Sequence, residues 1–451
     1  MRSKMSSPRL VRAALGESPV VLPDARGWVA EMSSQTNNRR AGAPDVVLTE
    51  PAFWRRADLD QVFATLRREN PVSWQPEPQT TWSNSGRGYW AIVRHANVKN
   101  VSRSPSTFIS GQGTELFDLP TDVARAYSGM LNMDPPEHTA MRSIVRDAFS
   151  PRRIASIRSS VNTRAEEILN EVCDRGACDF ATEVADRLPT AVICDLVGIP
   201  EADRAWVARL SRATHPFGDG SFDDAMSAVK ELIAYGRQLI LTRRANPTDD
   251  LATVLAFADV GGQPLADDGA GTFFELLVTA GIETTGAAIS HGMVALDAHR
   301  DEFERWRRDF ERLAPTAIEE ILRWSTPVVH FRRTAAVDTE IEGQAIAAGD
   351  KVVVFYNSAN RDDRAFDSPN SFRVGRSRNP HVTFGGGGPH FCLGAHLARL
   401  EIRSMFERLF ERLPDIEIAE PPKLTHSMFF NGVESLLCAF TPRRPVRQPA
   451  Q

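Results

Sequence analysis

The run Phe384-Gly385-Gly386-Gly387-Gly388-Pro389-His390-Phe391-Cys392-Leu393-Gly394 places one cysteine on a glycine-rich loop, just before a segment, His396 to Arg403, with apolar residues at helical spacing. Near a helix N-terminus the unpaired amides and the dipole favour a thiolate over a thiol. A thiolate is a good metal ligand, and consecutive glycines let the backbone lie close to a flat ligand. On its own the loop reads equally well as a tight turn before a buried cysteine.

Three further constellations carry chemistry. Ala280-Gly281-Ile282-Glu283-Thr284-Thr285 interrupts an apolar segment with a carboxylate and two hydroxyls. A mid-helix threonine can bond back to a carbonyl one turn earlier and, with Gly281 beside it, loosen the helix so that water or a small ligand fits. Glu283 and Thr284 then form an acid–alcohol pair able to relay protons, although a kinked helix with a solvated glutamate has the same sequence. In Met133 to Arg142, Asp134 reads as an N-cap, Pro135 as the first helical residue and Glu137 as the close of a capping box. His138 and Arg142 then share a face and suit a carboxylate or phosphate, or simply solvent. Glu320 and Arg323, three residues apart, can pair; buried, such a pair is architectural rather than strongly stabilising.

These groups need a frame. The chain has 451 residues, 42% hydrophobic and 25% charged, enough to bury a sizeable core. A net charge of −5 gives no support for a nucleic-acid surface. Five cysteines are too few for a disulfide framework, so Cys173, Cys178, Cys194 and Cys438 read as core filler in a reducing, cytoplasmic protein. The first forty residues are basic and polar, without a secretory pattern. Residues 1–44 read as a flexible tail, 45–442 as one domain and 443–451 as a second short tail. The apolar segment Thr272 to Leu296 is long enough to cross a bilayer, but it carries Glu275, Glu283 and His291. It is therefore expected to be the central helix of a core, with no membrane span.

Helical periodicity is expected over Asp60–Arg68, Ala140–Phe149, Ile154–Val172, Ala202–Ala213, Asp223–Arg244, Phe273–Leu296, Asp301–Leu313 and Pro315–Trp324. Strand patterns are fewer: Tyr89–Val93, Thr339–Ile341, Lys351–Tyr356 and Leu436–Phe440. The fold class is mainly α with a minor β part. Residues 359–380 lack periodicity and should be an irregular connection into the cysteine loop.

In this order, His-x-x-x-Arg, Ala-Gly-x-Glu-Thr-Thr, Glu-x-x-Arg and Phe-Gly-rich-His-x-Cys-x-Gly resemble the cytochrome P450 superfamily of the soluble bacterial type, over about 45 to 442. The resemblance implies a triangular, helix-rich prism with a small β region, holding haem b between the central long helix and the helix after the cysteine loop. It makes 45–442 one haem-thiolate catalytic domain and Cys392 the axial ligand of the iron. It places His138, Arg142, Arg333 and His390 on the haem propionates, Phe384 and Gly386 in the haem-binding loop, and Glu320 with Arg323 as the pair bracing the haem-side fold. Glu283 and Thr284 become the groups that manage protons for oxygen activation. The implied activity is a monooxygenase inserting one atom of O2 into an apolar small molecule such as a steroid, terpenoid or branched lipid. Val278, Ile282, Val328, Val329 and Phe429 are its expected substrate pocket. Electrons would come from NAD(P)H through a separate ferredoxin and ferredoxin reductase, docking near Arg142, Arg146, Arg399 and Arg403. A natural-product tailoring oxidase, a haem-thiolate peroxygenase and a non-catalytic haem-binding module are the alternatives; the intact Glu283–Thr284 pair argues against the last two.

Two departures refine the resemblance. Phe384 lies eight residues before Cys392, with one glycine more than the common loop. That longer loop, and the tail Met428-Phe429-Phe430-Asn431-Gly432-Val433, resemble the actinobacterial sterol and branched-lipid hydroxylases, although that subgroup usually has Asn where this chain has Ile282. The Pro-x-Arg-Phe arginine of the family is missing in Pro369-Asn370-Ser371-Phe372, leaving Arg373 and Arg376 as alternatives.

Overall fold

The helix Asp267–Ala298 is the axis around which the helices of the largest apolar cluster pack. Acidic Asp267 and Asp268 occupy its first turn, where the helix dipole favours negative charge. Its buried residues, among them Phe273, Phe274, Val278, Ile282, Ile289 and Met293, belong to the largest apolar cluster. A computed structural model describes residues 46–77, 86–120, 124, 129–214 and 221–445 of the protein. The expected tail 1–44, and residues 446–451 of the second tail, lie outside them.

Around the axis run the helices Arg187–Val197, Glu201–Ala213, Phe222–Ala245, Phe310–Ser325 and Ala395–Arg412. Phe222–Ala245 starts on a sequence signal: the Ser221 hydroxyl accepts from the Asp224 amide at 3.1 Å. The mainly α class is met, and no helix among the described residues is long and apolar enough to cross a membrane.

The main sheet has five strands in the order Val72–Gln75, Tyr89–Ile92, Lys351–Phe355, His330–Ala335 and Phe108–Ile109. The pairing of Lys351–Phe355 with Tyr89–Ile92 is parallel and the others are antiparallel. Val352, Val353 and Val354 are all buried, which fits a strand covered on both faces. The irregular connection expected over 359–380 is present, although Ala359 ends a short helix, Tyr356–Ala359, and the chain stays without helix or strand through the cysteine loop to residue 394.

Three local expectations are corrected. The helix expected to begin at Asp134 starts at Glu137, with no side-chain cap. The Asp134 carboxylate instead accepts from the amides of Ser110 and Gly111, at 2.7 and 2.8 Å, tethering a distant loop. The break expected before Pro315 falls at Asp309, and Phe310–Ser325 runs through the proline. Leu313, Ala314, Ala317 and Ile318 are buried on one face, and that packing outweighs the missing amide. The central helix also continues through Gly281, where the absent side chain makes room for Ile193 rather than for a groove.

Candidate active site

Cys392 lies three residues before the helix Ala395–Arg412. Its amide donates to the Phe384 carbonyl at 2.9 Å, closing the loop. Gly385, Gly387 and Gly388 have φ of 93°, 98° and 78°, in the left-handed region that glycine tolerates. The loop lies against the helix His95–Arg103: a Cβ on Gly386 would meet Ser102, and one on Gly388 would sit 2.2 Å from the Ser102 carbonyl oxygen. The Arg103 guanidinium donates to the Gly386 carbonyl at 3.0 Å. These glycines thus serve a helix–loop contact, where the sequence suggests clearance for a ligand. The glycine run alone does not show which neighbour it approaches.

Cys392 is exposed, unlike the four other cysteines, which are buried as expected. Its sulfur environment mixes opposing influences. Desolvation pushes the thiol up, while a Gly394 hydrogen bond and the charges of Arg142 and Arg399 pull it down; the net direction is up.

Beside this loop the structure gathers the expected cationic donors. The His138 and His390 rings lie 4.1 Å apart. Neither His138 nitrogen, nor His390 Nε2, has a hydrogen-bond partner among the described residues. Burial, reinforced by Arg333 and by His138, pushes His390 down to about 3. Burial and Arg142 likewise lower His138, and burial lowers Arg333. Arg142 donates to the Phe391 carbonyl at 2.6 Å. So many donors with depressed basicity in one place form a socket short of negative charge.

On the central helix, Thr284 donates back to the Ala280 carbonyl at 2.9 Å, as its sequence context predicts. Ser211 donates to Glu283 at 3.4 Å. Both Glu283 and Thr284 line an apolar cavity with Thr279, Ala280, Val328 and Phe429. Cavity residues on this helix fall at 272, 275, 276, 279, 280, 283 and 284, one face at helical spacing. Val278 and Ile282 point the other way and are fully buried in the core, and Val329 packs in a sheet-side cluster. Of the five expected pocket residues, Val328 and Phe429 are thus at the cavity and those three are not. The tail builds its wall through pairing: Val329 donates to the Phe429 carbonyl at 2.8 Å, and Val328 bridges Phe430. Glu115, Glu275 and Phe331 also line the cavity; of these the sequence marks only Glu275, as an ionisable group in an apolar segment.

The Glu320–Arg323 pair is fully buried and bidentate, with both contacts at 2.8 Å. The missing family arginine is supplied by Arg376, whose Nε donates to Glu320 at 2.9 Å. Arg373 contributes only its backbone amide, also at 2.9 Å. Burial would raise Glu320, but these donors outweigh it and hold the carboxyl below its ordinary value. Beside it, Arg399 grips Glu319 at 2.6 and 2.9 Å, and His381 contacts the same carboxylate. Arg403 pairs with Glu311, as Arg399 does with Glu319, so two arginines of the expected basic face are already partnered by acids; Arg146 only brushes exposed Asp147 at 3.7 Å, and Arg142 has no acid partner among the described residues.

A sequence model of the family described as cytochrome P450 matches residues 207–426. The methyl-branched lipid omega-hydroxylase of Mycobacterium tuberculosis is 41% identical over 87% of this chain and 94% of its own length. The steroid C26-monooxygenase of Rhodococcus jostii is 39% identical, over 86% of this chain and 83% of its own. A Mycobacterium marinum cytochrome P450 solved in complex with pseudoionone superposes with a TM-score of 0.86 at 39% identity, covering 89% of this chain and 100% of that one. With likeness of sequence and fold to these enzymes over most of the chain, and the cysteine loop, donor socket and acid–alcohol helix in place, the chain belongs to the cytochrome P450 family of haem-dependent monooxygenases.

Proposed function

We propose that this enzyme hydroxylates a methyl-branched lipid or a steroid, with Cys392 as the thiolate ligand of haem b and residues 45–442 as one catalytic domain. The orphaned nitrogens of His138 and His390, with Arg142 and Arg333, suit the two propionates of the haem. Phe384 and Gly386 shape the loop that carries Cys392. When bound, haem with a thiolate ligand supplies the O–O cleavage chemistry that lets one oxygen atom enter an unactivated C–H bond.

The chain's own residues do the rest. Glu283 takes up a proton at its carboxylate and hands it on through the Thr284 hydroxyl, which is held in place by the Ala280 carbonyl. Val328, Phe331 and Phe429 keep the cavity apolar and orient a hydrocarbon body. Electrons are supplied by NAD(P)H through a ferredoxin and its reductase in the cytoplasm.

The observation that carries this reading is the single wall on which Glu283 and Thr284 meet an apolar cavity closed by the Phe429–Phe430 tail. Names of the relatives point the same way on substrate: one acts on methyl-branched lipids and another on steroids. The test is a ligand panel of branched fatty alcohols, branched fatty acids, sterols and terpenoids, scored by the haem spin-state shift and then by product. A shift and a hydroxylated product with a branched lipid or sterol are expected; shifts and products confined to the terpenoids would overturn the substrate class. Separately, Cys392→Ser should abolish the red-shifted Soret band of the reduced carbonmonoxy form, and persistence of that band would remove Cys392 as ligand.

A further inference from the structure

Glu283 borders two cavities. One is the apolar cavity just described; the other, of about 550 Å3, is lined by Asp186, Arg212, Ser221, Asp224 and Glu434 and opens toward solvent. That volume is ample for several waters among polar partners. Asp186 sits where a π-helical segment, Ala181–Ala185, gives way to the helix Arg187–Val197. Such π turns are frequent at functional sites. A Cβ on Gly286 would lie 2.4 Å from Asp186 Oδ1, so the carboxylate rests directly on the central helix, one turn past Glu283. Arg212 holds Asp186 from the solvent side, Nη1 to Oδ2 at 3.3 Å. Neighbouring Ser211 donates to Glu283 from the same helix.

We propose that Asp186 is the solvent-side station that passes protons to Glu283, with the Arg212 guanidinium as its latch. Asp186 acts through Glu283 and is a positioning residue. Its proton affinity suits that role, because burial raises the carboxyl to about 6, with Arg212 pulling it down and Glu283 and Asp179 pushing it up. Asp224 and Glu434 are the other acids of the cavity, and Asp224 is tied to the Ser221 hydroxyl at 2.8 Å. Each turnover consumes one substrate C–H, one O2, two protons and two electrons, giving one alcohol and one water; the electrons come from NAD(P)H through the redox partners. In the relay, a solvent O–H breaks as the Asp186 carboxyl O–H forms. That bond breaks in turn as Glu283 is protonated, and Asp186 returns to the carboxylate.

The inference rests on the monooxygenase reading, so it is tested by one readout that needs turnover and one that does not. In Asp186→Asn the spin-shift dissociation constant should stay unchanged while product formed per NAD(P)H falls roughly tenfold, less than the roughly 10²–10⁴-fold of a lost acid–base group because Glu283 remains in place. The wild-type decline of coupling as pH rises above about 6 should flatten. Asp186→Glu should restore both, and Arg212→Gln should move the decline to higher pH. By infrared difference spectroscopy, a protonated-carboxyl band titrating near pH 6 should vanish in Asp186→Asn and shift to lower pH in Glu283→Gln. Wild-type coupling and pH profile in Asp186→Asn, or an Asp186 band indifferent to Glu283→Gln, would overturn the relay. A wild type that forms no product from any ligand would instead defeat the functional reading, and the infrared test would still stand.

Discussion

Thr284 makes one hydrogen bond inside its own helix, to the Ala280 carbonyl, and lines the cavity beside Glu283. That arrangement fixes a donor–acceptor oxygen without a helix break, and its removal should leave packing intact. Thr284→Ala should therefore bind substrate with an unchanged spin-state shift, yet divert electrons to peroxide and lower coupling about tenfold or more. Peroxide and product measured together check this; unchanged coupling would remove the hydroxyl from the relay. Glu283 and Thr284 were legible because the signal is local: a carboxylate and hydroxyls in an apolar helix demand a reason. Asp186 was not legible, since it lies almost a hundred residues earlier in an unremarkable segment and only the packing against Gly286 brings it to the site. Arg376 shows an intermediate case. The sequence left it and Arg373 as alternatives, and the long connection decided by bending the Arg376 guanidinium onto Glu320.

Helix periodicity located most of the longer helices, while their ends and joints depended on tertiary contacts. Arg187–Val197 carried no helical signal, because Pro189 and the β-branched Thr190, Val192 and Ile193 speak against one. Burial against the central helix overrides that preference. The irregular stretch 360–394 is held by a charged knot in place of regular structure. Arg323 reaches the carbonyls of Asn360, Pro369 and Ser371, while Glu320 gathers Arg323, Arg376, the Arg373 amide and Asn379. Glu320→Ala would leave two arginines buried without their acid, at a cost of about 3–5 kcal/mol. Arg376→Leu keeps the Glu320–Arg323 fork and should cost clearly less. Urea denaturation midpoints of the two variants check that order; equal losses would mean that the knot does not centre on Glu320.

At the scale of the whole molecule, stability answers to buried groups that titrate, and Glu401 is the clearest of them. It lies on the buried face of Ala395–Arg412 within the largest core, 2% exposed. Burial raises its carboxyl to about 8, with a Thr285 hydrogen bond pulling the other way. The native state therefore keeps a proton that the unfolded chain releases at its ordinary carboxylate value. Below that ordinary value both states hold the proton and the contribution is complete. As pH rises from there toward 8, the unfolded state alone gains by ionising, so stability falls, and above about 8 the loss levels off. A shift of that size amounts to roughly 3–5 kcal/mol, the larger part lost by neutral pH. Glu401→Gln keeps shape and hydrogen bonding but cannot ionise. It should match the wild type near pH 4.5 and exceed it in thermal midpoint at pH 8, with the gap opening steadily between. A gap that is constant with pH would mean that Glu401 does not keep its proton in the folded core.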